Sequence, residues 1–500
     1  MKLDARTFEA GRTLEADVVI VGGGAAGISI ARELAGGPLR VCLLESGGDT
    51  FEAASHALLR GVNAGAPYFP LDSCRLRYLG GTTNHWSGAS WPLEPIDFES
   101  RPGIPHSGWP LSRADLDPFY RRAHRVCQLG PFDYGLERWR GEDGDAPWPL
   151  GEGAAVTKLM QSSPPTRFGH EYGEELFAAE NVTVCLHATA LELETGRRGS
   201  RVEAVRVGVL DGVDFRVEGK RFVLASGGID NPRLLLLSPG IANPHDQIGR
   251  YFTEHLMLPC GFLLPSDPEI PLGFYTTHVV DGTQARGVLG LAAEVLRDEG
   301  LLNFSANLKP WLAQKGLLER KLGRLGRPVR RLASRLSGPR DLLGVQLESH
   351  AEQAPNPDSR VTLATEKDAF GLPRARLDWR LSALDKRSLR RSTELLGEAL
   401  GAAGLGRVRS LIEGPDDEWA RWQGRSAWTG PTGAFHHMGA TRMHEDPRQG
   451  VVDPDCRVHG VDNLFVAGSS VFPTSGYANP TLTLVALALR LADHLSGATG

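Results

Sequence analysis

Cysteine is scarce and scattered in this 500-residue chain, with Cys42, Cys74, Cys127, Cys185, Cys260 and Cys456 standing singly. The absence of any C-x-x-C pair or cysteine-dense stretch excludes a disulfide-stapled secreted module and points to a reducing compartment. Long apolar runs are missing too. None approaches the roughly 20 residues that span a bilayer, so no transmembrane segment is expected. Neither sign of charge dominates: 55 Lys and Arg stand against 60 Asp and Glu, a net charge of −5. With a pI of about 6.3 there is no basic field to attract nucleic acid, and no nucleic-acid partner is expected. The start, "MKLDARTFEAGRTLEADVVIVGGG", is acidic where a signal peptide would be basic and then apolar, so the chain reads as cytoplasmic. No histidine cluster has zinc spacing, and no metal is expected.

What is present is 41% hydrophobic and 23% charged, over a length that supports two or more cores. In "DVVIVGGGAAGISIAREL" a short apolar run, Val18 to Val21, meets glycines and then Ala26, Ile30 and Leu34 at helical spacing. That pattern predicts strand, tight turn and helix. Gly22, Gly24 and Gly27 form G-x-G-x-x-G, which turns the backbone sharply, lets a pyrophosphate reach the helix N-terminus and lets helix and strand pack closely. The next apolar run, "LRVCLLES", closes on Glu45, placed to bond the ribose hydroxyls of an adenosine. These residues suit NAD and FAD equally.

From 181 onward "NVTVCLHATALELE", "RVEAVRVGVLDG" and "DFRVEGKRFVLASGGIDNPRLLLLSPG" read as strands, the last ending at Ala225 with a helix entered after Pro232. Near the C-terminus "NLFVAGSSVFPTSGYANPTLTLVALALRLADHL" reads as strand, glycine turn, irregular stretch and a helix starting at Pro480 behind Asn479. A further stretch, "GGTTNHWSG" at 80–88, has no core-forming pattern yet holds His85 beside Trp86. Glycines there permit close approach of something flat or charged.

Five ordered blocks, the glycine turn, "LGGTTNHWSG", "LASGGIDNPRLLLLS", "HHMGATRM" and "LFVAGSSVFPTSGYANPTLT", resemble the glucose/methanol/choline (GMC) family of flavin oxidoreductases, nearest to its pyranose oxidase and sugar dehydrogenase branch. Residues 257–430 carry no matching block, and Asn231 stands where the family usually has Ser or Thr. The resemblance implies FAD and an α/β fold: a discontinuous Rossmann-like FAD-binding domain from 1–100, 181–256 and 438–500. An α+β substrate domain with an antiparallel sheet would come from 101–180 and 257–437. It implies cofactor contacts from Gly22, Gly24, Ala25, Ala26 and Gly27, from Glu45 and Ser46, and from Gly80, Gly81, Thr82, Asn84, His85 and Trp86. Ala188, Ala225, Gly468, Ser469, Asn479, Pro480 and Thr481 complete that set. In relatives the position of His85 bonds covalently to the flavin 8α-methyl in some and only packs against the ring in others. Both states stay open for His85, and Trp86 is read as packing. Thr82, Thr83 and Asn84 are expected at the polar edge of the ring.

Alignment of H-x-x-G with the relatives puts His436 at the catalytic position, with His437 the second candidate. Oxidising an alcohol needs a base for the hydroxyl proton while flavin N5 takes the hydride, and an imidazole with a pKa near 6.5 suits that role. Asn479 would hold the substrate oxygen, and its helix N-terminus would stabilise charge on the reduced flavin. His187, His255, His444 and His459 are read as structural.

The segment 317–340 is basic and amphipathic, a solvated excursion or a contact for a surface, a partner or an acidic substrate. The expected function is FAD-dependent oxidation of a CH–OH group in a sugar, polyol or related natural-product alcohol, with oxygen or a quinone as acceptor. An FAD-binding lyase of the same family and a non-catalytic flavoprotein subunit docking through 317–340 are the alternatives.

Overall fold

The computed structural model describes residues 1–141, 145–196, 199–312, 342–421 and 430–497; the basic segment 317–340 lies outside the described residues. The run before the glycines forms the strand Thr13–Val21, buried from Ala16 onward. It sits inside an eight-stranded sheet. In spatial order its neighbours run Lys2–Asp4, Val182–Leu186, Val41–Leu44, Thr13–Val21, Asp214–Leu224, Val202–Gly208 and Thr189–Thr195, and Leu464–Val466 pairs beside Asp214–Leu224. Pairing is parallel from Lys2–Asp4 through Asp214–Leu224 and on to Leu464–Val466, and antiparallel for Val202–Gly208 and Thr189–Thr195. Parallel neighbours need crossovers, so three distant stretches of chain build one sheet.

The helix Ala25–Leu34 packs against the last helix, Pro480–Ser496, which also receives Arg113–Val126. Tyr120 OH lies 2.9 Å from Thr483 Oγ1, and Arg122 pairs with Asp493 at 2.6 Å. The helix after Ala225 starts earlier than its sequence suggests. It spans Gly227–Leu237 with Pro232 inside it. Asn231 pins its first turn, accepting the Ser226 N–H at 2.7 Å and donating to Ala467 O and Ser470 Oγ at 3.1 Å. These tertiary bonds override the local preference for proline in the first turn, and Asn231 serves this packing.

A second eight-stranded sheet runs Gly406–Ser410, Pro259–Pro265, Leu342–Ala351, Phe304–Leu312, Thr283–Leu291, Ala155–Ser162 and Ala89–Ser90, with His278–Val280 beside Thr283–Leu291. Every pairing in it is antiparallel. The strand alternation puts Val345 and Leu347 into a core shared with Leu389, Leu395 and Leu396 of the helix Ala383–Ala402. Glu348 and His350 fall on the opposite face. A small third sheet joins Arg360–Lys367, Pro373–Asp378 and Val62–Asn63. Among the described residues no helix is long and apolar enough to cross a membrane, and all six cysteines are buried and unpaired.

Candidate active site

A cavity of about 460 Å³ lies where the N-termini of Ala25–Leu34, Gly227–Leu237 and Pro480–Ser496 converge. Three helix ends give a concentration of unsatisfied N–H groups and partial positive charge, suited to phosphates. The three motif glycines do different work. Gly22 has φ +113, and a Cβ there would meet Ala225 O at 2.6 Å. A Cβ on Gly27 would stand 1.9 Å from Gly22 O, so Gly27 lets helix and strand pack. A Cβ on Gly24 would meet nothing within 4 Å, because Gly24 faces the cavity. Ala25, Ala26, Ser46, Ala188, Ala225, Gly468, Ser469, Pro480 and Thr481 line the wall as well.

Glu45 is buried in the same wall and accepts N–H groups of Gly23 and Gly47 at 2.9 and 2.8 Å. Burial raises its carboxyl above the ordinary value, against the lowering effect of those bonds. Beside it stands a cluster absent from the sequence reading. Arg75 pairs with Asp230 at 2.6 Å, Arg77 lies 3.5 Å from Asp230, and Arg233 pairs with Asp368 at 2.6 Å. Burial would raise the Asp230 carboxyl, yet Arg75, Arg77 and Arg233 outweigh it and hold it below the usual range. Arg77 donates to Ser46 Oγ at 2.9 Å, while its Nε is buried with no partner among the described residues. Arg75, Arg77 and Arg233 line the cavity, where guanidiniums can meet an anionic ligand.

The 80–88 loop lies against the glycine turn: Gly80 N–H donates to Gly23 O at 2.7 Å. Gly81, Thr82, His85 and Trp86 line the cavity, whereas Gly80 and Asn84 do not. Asn84 and Thr83 hold the loop itself. Asn84 Nδ2 donates to Leu79 O at 3.0 Å, and Thr83 Oγ1 donates to Gly80 O at 2.7 Å and accepts the Phe168 N–H at 3.1 Å. Trp86 is fixed by Nε1 donating to Thr166 O at 2.8 Å and by an edge contact with Phe168. The ring of His85 makes no hydrogen bond among the described residues.

At one end of the cavity Asn479 Nδ2 lies 3.3 Å from His436 Nε2. Asn479 is the N-cap residue of Pro480–Ser496, but its side chain makes no cap bond and turns to His436 instead. His255 also departs from a merely structural reading. Its Nδ1 lies 2.8 Å from His436 Nδ1, and its Nε2 faces Gly476 O at 2.9 Å. His350, from the middle of the antiparallel sheet, completes a group of three rings and hydrogen-bonds Tyr477 O through Nδ1. The ring nitrogens of His255, His350 and His436 come within 4.8 Å of one another, although no zinc-like spacing exists in the sequence. Hydrogen bonds already engage Nδ1 and Nε2 of His255, both ring nitrogens of His436 and Nδ1 of His350.

His437, next in the chain, faces elsewhere. Its Nε2 bonds Tyr68 OH at 2.9 Å, and Tyr68 OH donates to Glu254. Glu254 accepts the N–H groups of His255, Ala434 and His436 at 3.0–3.1 Å. Burial dominates the electrostatics here, since a charged imidazole or carboxylate loses its hydration. It pushes Glu254 up to about 7, His437 down to about 3 and His350 down to about 4. Burial, then the neighbouring His350 and His437, holds His436 well below the ordinary histidine value. Of the histidines expected to be structural, His187, His444 and His459 stay outside this group; His459 Nε2 bonds His444 O at 2.9 Å. Sequence order gives little sign of His255, His350, Tyr68 or Glu254, since each is one polar residue in an unremarkable stretch.

Residues 17–297 match the family described as "FAD dependent oxidoreductase", and residues 355–488 match "GMC oxidoreductase". The chain belongs to the GMC family of FAD-dependent oxidoreductases. Fructose dehydrogenase large subunit of Gluconobacter japonicus is 27% identical over 97% of this GMC chain and 98% of that protein. Paromamine 6'-oxidase of Streptomyces fradiae is 26% identical over 96% of this chain and 91% of that protein. In fold, a variant of Aspergillus oryzae RIB40 formate oxidase superposes with a TM-score of 0.58 at 18% identity, covering 98% of this chain and 99% of its own. FAD is the cofactor of this GMC enzyme, and the cavity suits it. The open space at Gly24 and the converging helix ends both suit an elongated anionic ligand.

Proposed function

We propose that the enzyme oxidises a CH–OH group of a sugar, polyol or related polyhydroxylated natural product, with His436 as the base. The observation that carries this reading is the meeting of His436 Nε2 and Asn479 Nδ2, 3.3 Å apart in the wall of the cavity. FAD bound there supplies the acceptor for the two electrons of the alcohol. His436 Nε2 takes the hydroxyl proton, and Asn479 Nδ2 donates a hydrogen bond to the alcohol oxygen as negative charge develops on it. The helix N-terminus behind Asn479 adds fixed positive potential at the same place. His437 is set aside from this step because Tyr68 OH already donates to Glu254, so His437 Nε2 must donate to the Tyr68 oxygen and has no lone pair to take a proton.

The substrate class follows the printed activities of the relatives, which name fructose and paromamine. Gly24 and the arginine cluster are assigned to the FAD pyrophosphate, Glu45 to the adenosine ribose, and His85, whose ring makes no hydrogen bond among the described residues, to covalent attachment of the flavin. The domain division follows the sheets except at Ala89–Ser90, which lies within 1–100 but joins the antiparallel sheet. The parallel sheet with its three stretches forms the FAD-binding part and the antiparallel sheet the substrate part. The helices Arg113–Val126 and Phe168–Ala178 lean on the former. Anaerobic mixing of the purified enzyme with a panel of ketoses, aldoses, polyols and aminoglycosides tests the function. Loss of the visible flavin absorption with at least one of them is expected. A flavin that stays oxidised across the panel, as in a lyase or a non-catalytic subunit, contradicts it.

A further inference from the structure

The proton on His436 is placed from the side away from Asn479. His255 Nε2 faces two backbone carbonyls, Gly476 O at 2.9 Å and Ser475 O at 3.4 Å. A carbonyl oxygen accepts and never donates, so Nε2 carries the His255 ring proton. A neutral imidazole has only one N–H, which leaves His255 Nδ1 as a bare acceptor. That acceptor lies 2.8 Å from His436 Nδ1, and one proton must sit between two nitrogens at such a distance. It comes from His436. The other nitrogen of His436, Nε2 on the Asn479 side, then keeps its lone pair.

We propose that His255 is the positioning residue that holds His436 in its Nδ1–H tautomer and so keeps on Nε2, beside Asn479 Nδ2, the lone pair that accepts a proton, a role that rests on the reading of His436 as the base. The neutral state this requires is imposed by the surroundings. His255 is fully buried, with the rings of His350 and His436 at 4.3 and 5.0 Å. Burial, followed by those two neighbours, holds it well below the ordinary histidine value. The groups around the pair are His350, His437 and the Glu254 carboxylate, with Arg286 acting on His350 from the sheet. Glu254 ties the two partners together, because one carboxylate accepts the backbone N–H of both His255 and His436. The link between the rings is therefore braced along the backbone as well.

Holoenzyme labelled with ¹⁵N-histidine shows the tautomer directly in two-bond ¹H–¹⁵N correlation spectra at neutral pH. The His436 signal is identified by its loss in His436→Gln. The parent is expected to give the Nδ1–H pattern for His436. His255→Leu removes the acceptor and is expected to shift that pattern to Nε2–H or to a mixture. His255→Asn puts an amide oxygen near the position of Nδ1 and is expected to restore Nδ1–H. In the same proteins the limiting rate of anaerobic flavin reduction should fall on the order of 10²-fold in His255→Leu and return to within roughly tenfold of the parent in His255→Asn, with FAD content unchanged. An unaltered Nδ1–H pattern in His255→Leu overturns the inference, as does loss of that pattern in His255→Asn, which also serves if the leucine variant does not fold. A shifted tautomer with a parental rate supports the inference and instead overturns His436 as the base.

Discussion

Asn479 Nδ2 stands 3.3 Å from His436 Nε2 across 43 residues of chain, and this pairing replaces the helix-cap bond that an asparagine at that position normally makes. Asn479→Ala should therefore separate function from stability. Flavin reduction by substrate is expected to slow by about 10- to 10²-fold through loss of an oriented donor. The unfolding free energy should change by less than ~1 kcal/mol, the usual size of a lost cap. Calorimetry and anaerobic stopped-flow on one preparation check both, and a large loss of stability with an unchanged rate would return Asn479 to a structural role.

The pH dependence follows from burial. His436 is held well below 6.5, first by desolvation and then by His350 and His437. The neutral ring is the active base, so activity is present above the folded pKa and lost as the pH falls through it. The rate of reduction by substrate should rise with pH through one ionisation that lies below 6.5 and stay flat above it. A controlling ionisation above pH 7 contradicts this environment for His436.

Two glycines of the same motif should fail in different ways. Gly24→Val projects into open cavity, so the apoprotein should fold as the parent does while FAD occupancy drops sharply. Gly27→Ala drives a methyl against Gly22 O, 1.9 Å away, and should destabilise the fold by about 1–3 kcal/mol. Flavin absorbance per protein and thermal unfolding of both variants provide the check, and full flavin retention in Gly24→Val would count against the pyrophosphate assignment.

For His85 the test is acid precipitation. Flavin is expected to stay with the pellet of the parent and to move to the supernatant in His85→Ala. Free flavin released from the parent removes the covalent link and leaves His85 as a wall residue.

The features legible in the sequence are those whose meaning is local. Strand, glycine turn and helix around Gly22, Gly24 and Gly27 are contiguous, and so are the loop 80–88 and the Asn479–Pro480 helix start, so period and turn chemistry suffice. His350 is invisible at that level because strand register carries it to the site: it pairs with Ser305 and alternates out of the core that holds Leu347. His255 and Glu254 form a buried polar pair whose value lies in tertiary bonds to Tyr68 and to residues 434–436 and 475–476. Pro232 misled in the opposite sense. Its local preference is real, and Asn231 overrules it through contacts with the C-terminal strand region.

The most direct test of the whole account is single-turnover reduction of the flavin in parent and His436→Ala, under anaerobic conditions with a saturating sugar or polyol that bleaches the parent. A fall in the limiting rate of about 10² to 10⁴, the usual size of a general-base contribution, is expected. FAD should remain bound, and His437→Ala should lose far less. Equal limiting rates in parent and His436→Ala would contradict the assignment of His436 as the base.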